Sequence, residues 1–181
     1  FRAYYFLWSF LGANISRYPS RELLIIGVTG TNGKTTTVNA IHNILQSNGI
    51  RTGMLSTANF KIGNKEFVNK TKNTMLGRLA LQKMLRRMVK EDCRVAIVEV
   101  SSEGIISHRA YGINFDTLVF TNLTPEHIES HGSFENYKKA KQKIFAKLSK
   151  QKRKKLSSFS PRELKKTIIA KEISWKINAF K

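Results

Sequence analysis

The sequence predicts an α/β fold in which helices cover both faces of a mostly parallel sheet. Three short apolar runs, at residues 23–29, 94–100 and 116–121, are typical of parallel strands buried on both sides. Segments with apolar residues at helical spacing separate these runs along the chain. Alternating strands and helices indicate right-handed β-α-β crossovers within one sheet. A chain of 181 residues is long enough to bury a core of this kind in one domain.

The sequence starts with an apolar segment at residues 1–15. Residues 1–15 are apolar except for Arg2, Ser9 and Asn14, and this stretch is shorter than the roughly 20 residues that a membrane-spanning helix needs. It has no small-residue cleavage site after a charged start, so we do not expect a signal peptide. We expect a helix that packs on the body of the protein; an interfacial membrane anchor is the less favoured alternative.

The elements after the first apolar strand follow from local patterns. Apolar residues at helical spacing predict a helix over residues 35–46, which Asn48-Gly49 ends. The patterns then predict a strand at 50–57, a hairpin at 60–67 that turns at Gly63-Asn64, a helix at 79–89, the two strands already named, a helix at 134–148 and a strand at 167–170.

The formal net charge of +20 is concentrated near the C-terminal end of the sequence. Residues 1–137 hold 16 basic and 10 acidic side chains, whereas residues 138–181 hold 16 basic and 2 acidic ones. A uniformly basic protein suggests nucleic acid or anionic lipid as a partner. A basic end on a nearly ordinary body is a weaker signal, because runs of charge are usually solvated. We therefore expect no specific nucleic-acid partner.

The strongest motif is a glycine-bearing loop, GVTGTNGKTTT at residues 27–37, between an apolar strand and a helix. This is the context that a phosphate-binding loop requires. Glycines let backbone N–H groups point inward, and the helix N-terminus adds partial positive charge there. Lys34 would reach the β- and γ-phosphates, and the Thr35 hydroxyl would complete a magnesium shell. Val28 stands where the strict pattern has glycine, so the sequence predicts a variant loop on a P-loop NTPase-like fold.

Polar residues follow two of the predicted strands, where ligands bind in an open parallel sheet. Glu99 ends one strand and is well placed to hold Mg²⁺, and Arg109 can bind a carboxylate or phosphate as a fork. His127 follows the other strand beside a second histidine and two carboxylates, a pattern typical of metal or phosphate sites. A charged strand end and a structural histidine are the alternatives for Glu99 and His127.

Three motifs together resemble one family. GVTGTNGKTTT, EVSSEGIISHR at 99–109 and FTNLTPEHIESHGSFENYKKAKQKIF at 120–145 resemble the central ATPase domain of the Mur ligases, most closely the UDP-N-acetylmuramoyl-tripeptide synthetase type. They occur in the family's order and at similar spacing over residues 24–148. The resemblance implies ATP and Mg²⁺ as cofactors, and a UDP-MurNAc-peptide and an amino acid as substrates. The peptide carboxylate would become an acyl phosphate, which the amine of the amino acid then attacks.

The resemblance also implies roles for individual residues. It assigns ATP contacts to Gly30, Thr31, Asn32, Gly33, Lys34, Thr35, Thr36 and Asn122. It assigns magnesium ligation to Thr35, Glu99, His127 and, if carbamylated, Lys141, and catalytic roles to Lys34, His127 and Lys141. It assigns substrate contacts to Asn73, Thr74, Ser101, Ser107 and Arg109. The chain departs from the family at Met75-Leu76, where a polar or proline-containing turn is usual, and at Ser107, where glutamine is common.

By this resemblance the chain divides into an apolar segment or linker (1–21), a partial central ATPase domain (22–148) and a basic remnant (149–181). The family's other two domains need more residues than the two ends provide. We therefore expect a truncated chain or an altered reading frame. A non-catalytic nucleotide-binding fragment, a folylpolyglutamate-type ligase and a basic nucleic-acid-binding ATPase are the alternatives. A single cysteine excludes a disulfide framework and a cysteine-based zinc site, which fits a cytoplasmic location.

Overall fold

The computed structural model describes residues 2–71, 73–122, 124 and 142. The elements in chain order are α1 (Arg2–Ile15), a 3-10 turn (Pro19–Arg21), β1 (Leu24–Thr29), α2 (Lys34–Ser47), β2 (Thr52–Leu55), β3 (Asn59–Ile62), β4 (Lys65–Val68), α3 (Arg78–Lys90), β5 (Val95–Glu99), α4 (Ser102–Ile106) and β6 (Thr117–Phe120).

The strands form one mixed sheet in the order β4-β3-β2-β5-β1-β6. Strands β2, β5, β1 and β6 are parallel, and the hairpin β3–β4 extends the sheet antiparallel from β2. Gly63 turns this hairpin with a φ of 56°, in the left-handed region that glycine adopts readily. The prediction of a mostly parallel α/β fold is confirmed.

Helices cover both faces of the sheet, as predicted. Gly53 and Thr52 are neighbours in β2 and therefore point to opposite faces. A Cβ atom on Gly53 would lie 2.5 Å from Sδ of Met88, so α3 covers the first face. The Thr52 hydroxyl lies 2.7 Å from Nδ1 of His42, so α2 covers the second. Because both faces are covered, the strand sequences are continuously apolar rather than alternating.

The main hydrophobic core lies between α3 and the sheet. It is built from buried side chains of the strands, of α3 and of the segments next to these elements. Among them are Leu23, Ile25, Leu55, Met75, Leu81, Leu85, Met88, Val98, Ile113 and Phe115. Each large side chain of this kind stabilises the fold by about 1.5–3 kcal/mol relative to an exposed position.

Helix α1 packs on the body of the protein. Arg86 of α3 donates hydrogen bonds to the carbonyl oxygens of Ser16 at 2.8 Å and Arg17 at 3.0 Å, and the Ser9 hydroxyl donates to the His108 carbonyl at 3.0 Å. The expected helix is therefore present and docked. In the part of the chain that the structure describes, no helix combines the length and apolarity needed to cross a bilayer.

Two short elements were not predicted from local patterns. The 3-10 turn spans three residues and α4 spans five, which is too short for a helical period to be visible in the sequence. The predicted helix at 134–148, apart from Gln142, and the predicted strand at 167–170 lie outside the described residues.

His42 makes the stability of the fold depend on pH. Burial lowers the pKa of His42, and the nearby Lys61 ammonium lowers it further, with a partial offset by Glu66. The unfolded chain therefore binds a proton at His42 at a higher pH than the folded protein does. We expect the free energy of unfolding to fall as pH drops below 6.5, by about 1.4 kcal/mol per unit of pKa difference. Urea unfolding between pH 8 and 5 measures this loss.

The variant His42→Gln provides the comparison for this prediction. It removes the titrating group and keeps a side chain that can hydrogen bond to Thr52. We expect a smaller loss of stability on acidification than in the unchanged chain. Parallel stability curves for the two proteins would contradict the assignment.

Candidate functional site

The loop between β1 and α2 has a positive φ, which favours glycine, at two positions. Gly33 has a φ of 79° and forms the N-cap of α2. Gly30 has a φ of 152°, and a Cβ atom there would collide with the side chain of Thr121. The loop can therefore turn tightly and approach the end of β6, which is the arrangement that the sequence predicted for a phosphate loop.

The segment after β6 holds this loop in place. The Asn122 side-chain oxygen accepts hydrogen bonds from the backbone N–H groups of Thr31 at 3.1 Å and Asn32 at 2.9 Å. The Thr121 hydroxyl donates to the Asn32 carbonyl at 2.6 Å, and the Thr124 N–H donates to the Thr31 hydroxyl at 3.0 Å. Asn122 therefore lies beside the loop residues with which the sequence grouped it.

The cation and hydroxyls predicted for the site stand at the start of α2. Lys34 is the first residue of the helix, and its ammonium donates to the Thr31 carbonyl at 2.6 Å. Thr35 is half-buried and Thr36 is exposed. The first N–H groups of a helix have no intrahelical partner and carry a partial positive charge. This end of α2 therefore favours an anion.

Glu99 is a buried carboxylate at the end of β5. It is 1% exposed, and three neutral donors satisfy its oxygens: the hydroxyl of Thr35, the N–H of Thr57 and the hydroxyl of Thr57, each at 2.9 Å. Glu99 pairs in register with Val28, whose face of the sheet is the one that α2 covers. This register aims the carboxylate at the start of α2 rather than at α3.

Two residues that the sequence analysis did not select hold the site together. Thr57 gives Glu99 two of its three hydrogen bonds. The buried Asn69 amide donates to the carbonyl oxygens of Ser56 at 3.1 Å, Thr57 at 3.0 Å and Asn73 at 2.9 Å. Neither residue belongs to a motif that carries chemistry, and both act through contacts made across the turns that follow β2 and β4, so no local pattern identifies them.

The predicted substrate residues form a second group beside α4. Ser101 caps this helix by accepting a hydrogen bond from the Gly104 N–H at 3.0 Å. Arg109 donates to the Met75 carbonyl at 2.7 Å, which ties α4's end to the segment of Asn73 and Thr74. The second group meets the first through Asn69, which bonds to both Thr57 and Asn73.

The structure places the residues at which the chain departs from the family pattern. Met75 and Leu76 are buried in the hydrophobic core, and the Met75 side chain packs on Gly104, so these residues serve packing rather than recognition. The carbonyl of Ser107 accepts a hydrogen bond from Arg78. Its hydroxyl is buried without a hydrogen-bond partner among the described residues.

Two predicted ligands, His127 and Lys141, lie outside the described residues. Within residues 2–71 and 73–122 and at positions 124 and 142, no three His, Cys, Asp or Glu side chains cluster as a metal site. The described part of the site therefore offers one carboxylate, one ammonium, several hydroxyls and a helix N-terminus. This set can bind a polyphosphate together with a hard cation.

Comparison with known proteins gives a consistent result. A model of the Mur ligase middle domain matches residues 28–176. The UDP-N-acetylmuramoyl-L-alanyl-D-glutamate–2,6-diaminopimelate ligases of Halalkalibacterium halodurans and Bacillus cereus are 45% and 42% identical to the chain over 130 residues. The matched residues are 72% of this chain and 26% of each relative, so the chain spans about a quarter of the length of these relatives.

Solved structures agree with the sequence matches. A structure of a UDP-N-acetylmuramoyl-L-alanyl-D-glutamate–2,6-diaminopimelate ligase aligns with a TM-score of 0.65 and 32% identity, over 74% of this chain and 28% of the other. A structure of the UDP-N-acetylmuramoylalanyl-D-glutamyl-2,6-diaminopimelate–D-alanyl-D-alanyl ligase from Acinetobacter baumannii aligns with a TM-score of 0.53 and 20% identity, over 78% of this chain and 27% of the other. The second likeness shows the fold alone.

Asn69 joins the two groups of site residues by hydrogen bonds, so we expect the stability of the fold to depend on it. Truncation to alanine would leave three carbonyl oxygens with fewer donors in a buried site, so we expect Asn69→Ala to lower the free energy of unfolding by about 3 kcal/mol. Asn73→Ala, which truncates an exposed asparagine in the same segment, should change it by less than about 0.5 kcal/mol. Urea unfolding of both variants tests this, and equal effects would refute the role given to Asn69.

Proposed function

Since the chain belongs to the Mur ligase family through its middle domain, we propose that it is the ATP-binding part of a ligase of peptidoglycan precursor synthesis. The proposed reaction joins an amino acid to a UDP-MurNAc-peptide. The membership that three sequence motifs indicated is confirmed by the family match. The names of the relatives support a peptidoglycan ligase over the folylpolyglutamate-type alternative.

The observation that carries the proposal is the position of Glu99. Its buried carboxylate lies 2.9 Å from the hydroxyl of Thr35, which directly follows the loop lysine Lys34. An ionised carboxylate is costly to bury unless hydrogen bonds or a cation compensate it. A carboxylate and a threonine hydroxyl beside a phosphate loop match the donor set that Mg²⁺ takes with nucleoside triphosphates.

The residues present fit a magnesium ion bound with ATP. Thr35 and Glu99 supply hard oxygen ligands, and His127 and Lys141 are proposed as further ligands on the basis of the motif resemblance. The ion would neutralise phosphate charge. The N–H groups in the first turn of α2 and the Lys34 ammonium would hold the β- and γ-phosphates and stabilise the negative charge that develops during phosphoryl transfer.

The second group of residues is proposed to hold the other substrate. Arg109 has donors beyond the one that bonds to Met75 and can pair with a carboxylate or a phosphate. Asn73, Thr74, Ser101 and Ser107 are the proposed polar contacts. A substrate carboxylate held here would attack the γ-phosphorus and release ADP. The amine of the amino acid would then attack the acyl carbon, with loss of inorganic phosphate and a proton.

The chain spans about a quarter of the length of the curated relatives that it matches. Nucleotide binding is the part of the proposed function that the described residues would carry, so it is the property to measure. A cytoplasmic location is part of the proposal, because the nucleotide-linked substrates are soluble. No specific nucleic-acid partner is proposed.

Lys34 is the first residue to test. We expect Lys34→Ala to weaken ATP binding about 100-fold, because it removes a cation that makes charge-assisted hydrogen bonds to phosphate. Lys70→Ala, a change at an exposed lysine after the hairpin, serves as the matched control and should leave the affinity unchanged. Isothermal titration calorimetry gives both values. Unchanged affinity in Lys34→Ala would rule out the phosphate-loop assignment.

Glu99 tests the magnesium assignment separately. In the unchanged chain we expect Mg²⁺ to tighten ATP binding, and in Glu99→Gln we expect this Mg²⁺ effect to shrink about tenfold while metal-free binding stays similar. Glu103→Gln removes an exposed carboxylate in α4 and should retain the full effect. Titrations with and without EDTA give the comparison. A full Mg²⁺ effect in Glu99→Gln would show that Glu99 has a structural role only.

A further inference from the structure

Helix α1 carries its large apolar side chains on the face that points away from the protein. The outward stripe has helical spacing and consists of residues that are each between 37% and 72% exposed: Tyr4, Leu7, Trp8, Leu11 and Ile15. Phe6 and Phe10 flank this stripe at 44% and 40% exposure and stack on each other. Tyr4, Leu7, Trp8, Leu11 and Ile15 together form the outer stripe of α1.

The fully buried residues on the inward face of the same helix are small, and beside them the half-buried Tyr5 ring lies 4.2 Å from the Arg78 guanidinium of α3. Ser9 and Ala13 are 1% and 0% exposed, and Gly12 lies so close to α3 that a Cβ atom there would be 3.0 Å from the side chain of Leu79. Ordinary surface helices bury their large apolar residues and expose polar ones. In α1 this order is reversed, although the helix is firmly docked.

The outer stripe differs from the other exposed apolar residues. Elsewhere in the described residues, the large apolar side chains that stand exposed are Ile44, Val68 and Ile106, and each lies on a different element. Single exposed apolar residues are normal on protein surfaces, whereas a contiguous apolar patch marks an interaction site.

The charged residues near the stripe in the sequence favour an anionic surface. Residues 1–21 contain three arginines, Arg2, Arg17 and Arg21, and no acidic residue. The first acidic residue, Glu22, is paired with Arg86 at 2.8 Å. The net charge of +20 opposes the approach of a second copy of this chain. A tryptophan and a tyrosine on an apolar helix face with arginine neighbours are typical of helices that lie in the headgroup region of a bilayer.

We propose that α1 docks the protein on the surface of an anionic lipid membrane, with the outer stripe inserted at the boundary between headgroups and acyl chains. The helix lies parallel to the membrane plane, because Ser9, Gly12 and Ala13 on its opposite face pack on the protein. Docked packing against the protein and insertion into lipid are compatible, since they use opposite faces of α1.

Trp8 reports this insertion directly. The chain has two tryptophans, so Trp175→Phe leaves Trp8 as the only tryptophan. The full chain with this change is mixed with vesicles of phosphatidylcholine and phosphatidylglycerol in equal amounts. We expect a blue shift of the Trp8 emission and quenching by lipids brominated on their acyl chains. Pure phosphatidylcholine vesicles should bind more weakly, because they lack the negative charge.

Leu7→Glu with Leu11→Glu, in the same background, tests the stripe itself. Each leucine that is no longer buried in lipid weakens partitioning of the protein onto the vesicle by about tenfold. We therefore expect about 100-fold weaker binding of the double variant in vesicle sedimentation at 0.5 M salt. Ile44→Glu, at an equally exposed isoleucine of α2, is the matched control and should bind like the unchanged background. High salt screens attraction by the basic C-terminal residues, so binding that remains reports apolar insertion.

Circular dichroism and thermal unfolding establish that each variant is folded. If the double variant does not fold, Ile15→Glu at the end of the helix replaces it, with an expected tenfold weakening. Three outcomes would overturn the proposal: an unshifted Trp8 emission with anionic vesicles, equal binding by the stripe variant and the Ile44 control, or a lipid-independent dimer in sedimentation velocity that the stripe variant abolishes.

Discussion

Strand β1 is hydrogen-bonded along both edges, to β5 and to β6, and the rest of the molecule is arranged around it. Three parallel strands side by side must end at the same edge of the sheet. The loop after β1, Glu99 at the end of β5 and Asn122 after β6 are therefore neighbours in space although 90 residues separate the first from the last. Helices cover both faces of the sheet, so β1 is also buried on both sides and gives the site a rigid support.

A buried carboxylate then constrains the residues near it. Glu99 is surrounded by neutral donors from α2 and from the turn after β2, so the two elements must keep their positions for its charge to be compensated. Asn69 extends this constraint to the segment that holds the proposed substrate contacts. The hydrogen bonds thus join the proposed nucleotide side and the proposed substrate side into one network. In such a network, the loss of a hydrogen bond on one side affects the bonds on the other.

In contrast to the buried site, α1 exposes apolar surface to water. The fully buried residues of its inward face are small and allow close packing on α3, and its outward face holds large ones. Exposed apolar area is unfavourable in a free protein, and this cost is offset when a lipid or protein surface covers it.

The sequence by itself determined the fold class, most of the elements and which residues were proposed for the nucleotide side of the candidate site. Local patterns suffice there, because a continuous apolar strand, a glycine loop and a lysine-threonine helix start are contiguous in the chain. Tertiary structure alone decided the roles of Thr57 and Asn69, the burial of Met75 and the direction in which the faces of α1 point. These depend on hydrogen bonds and packing between segments that are distant in the chain, and no local pattern encodes which side of an apolar helix meets the body.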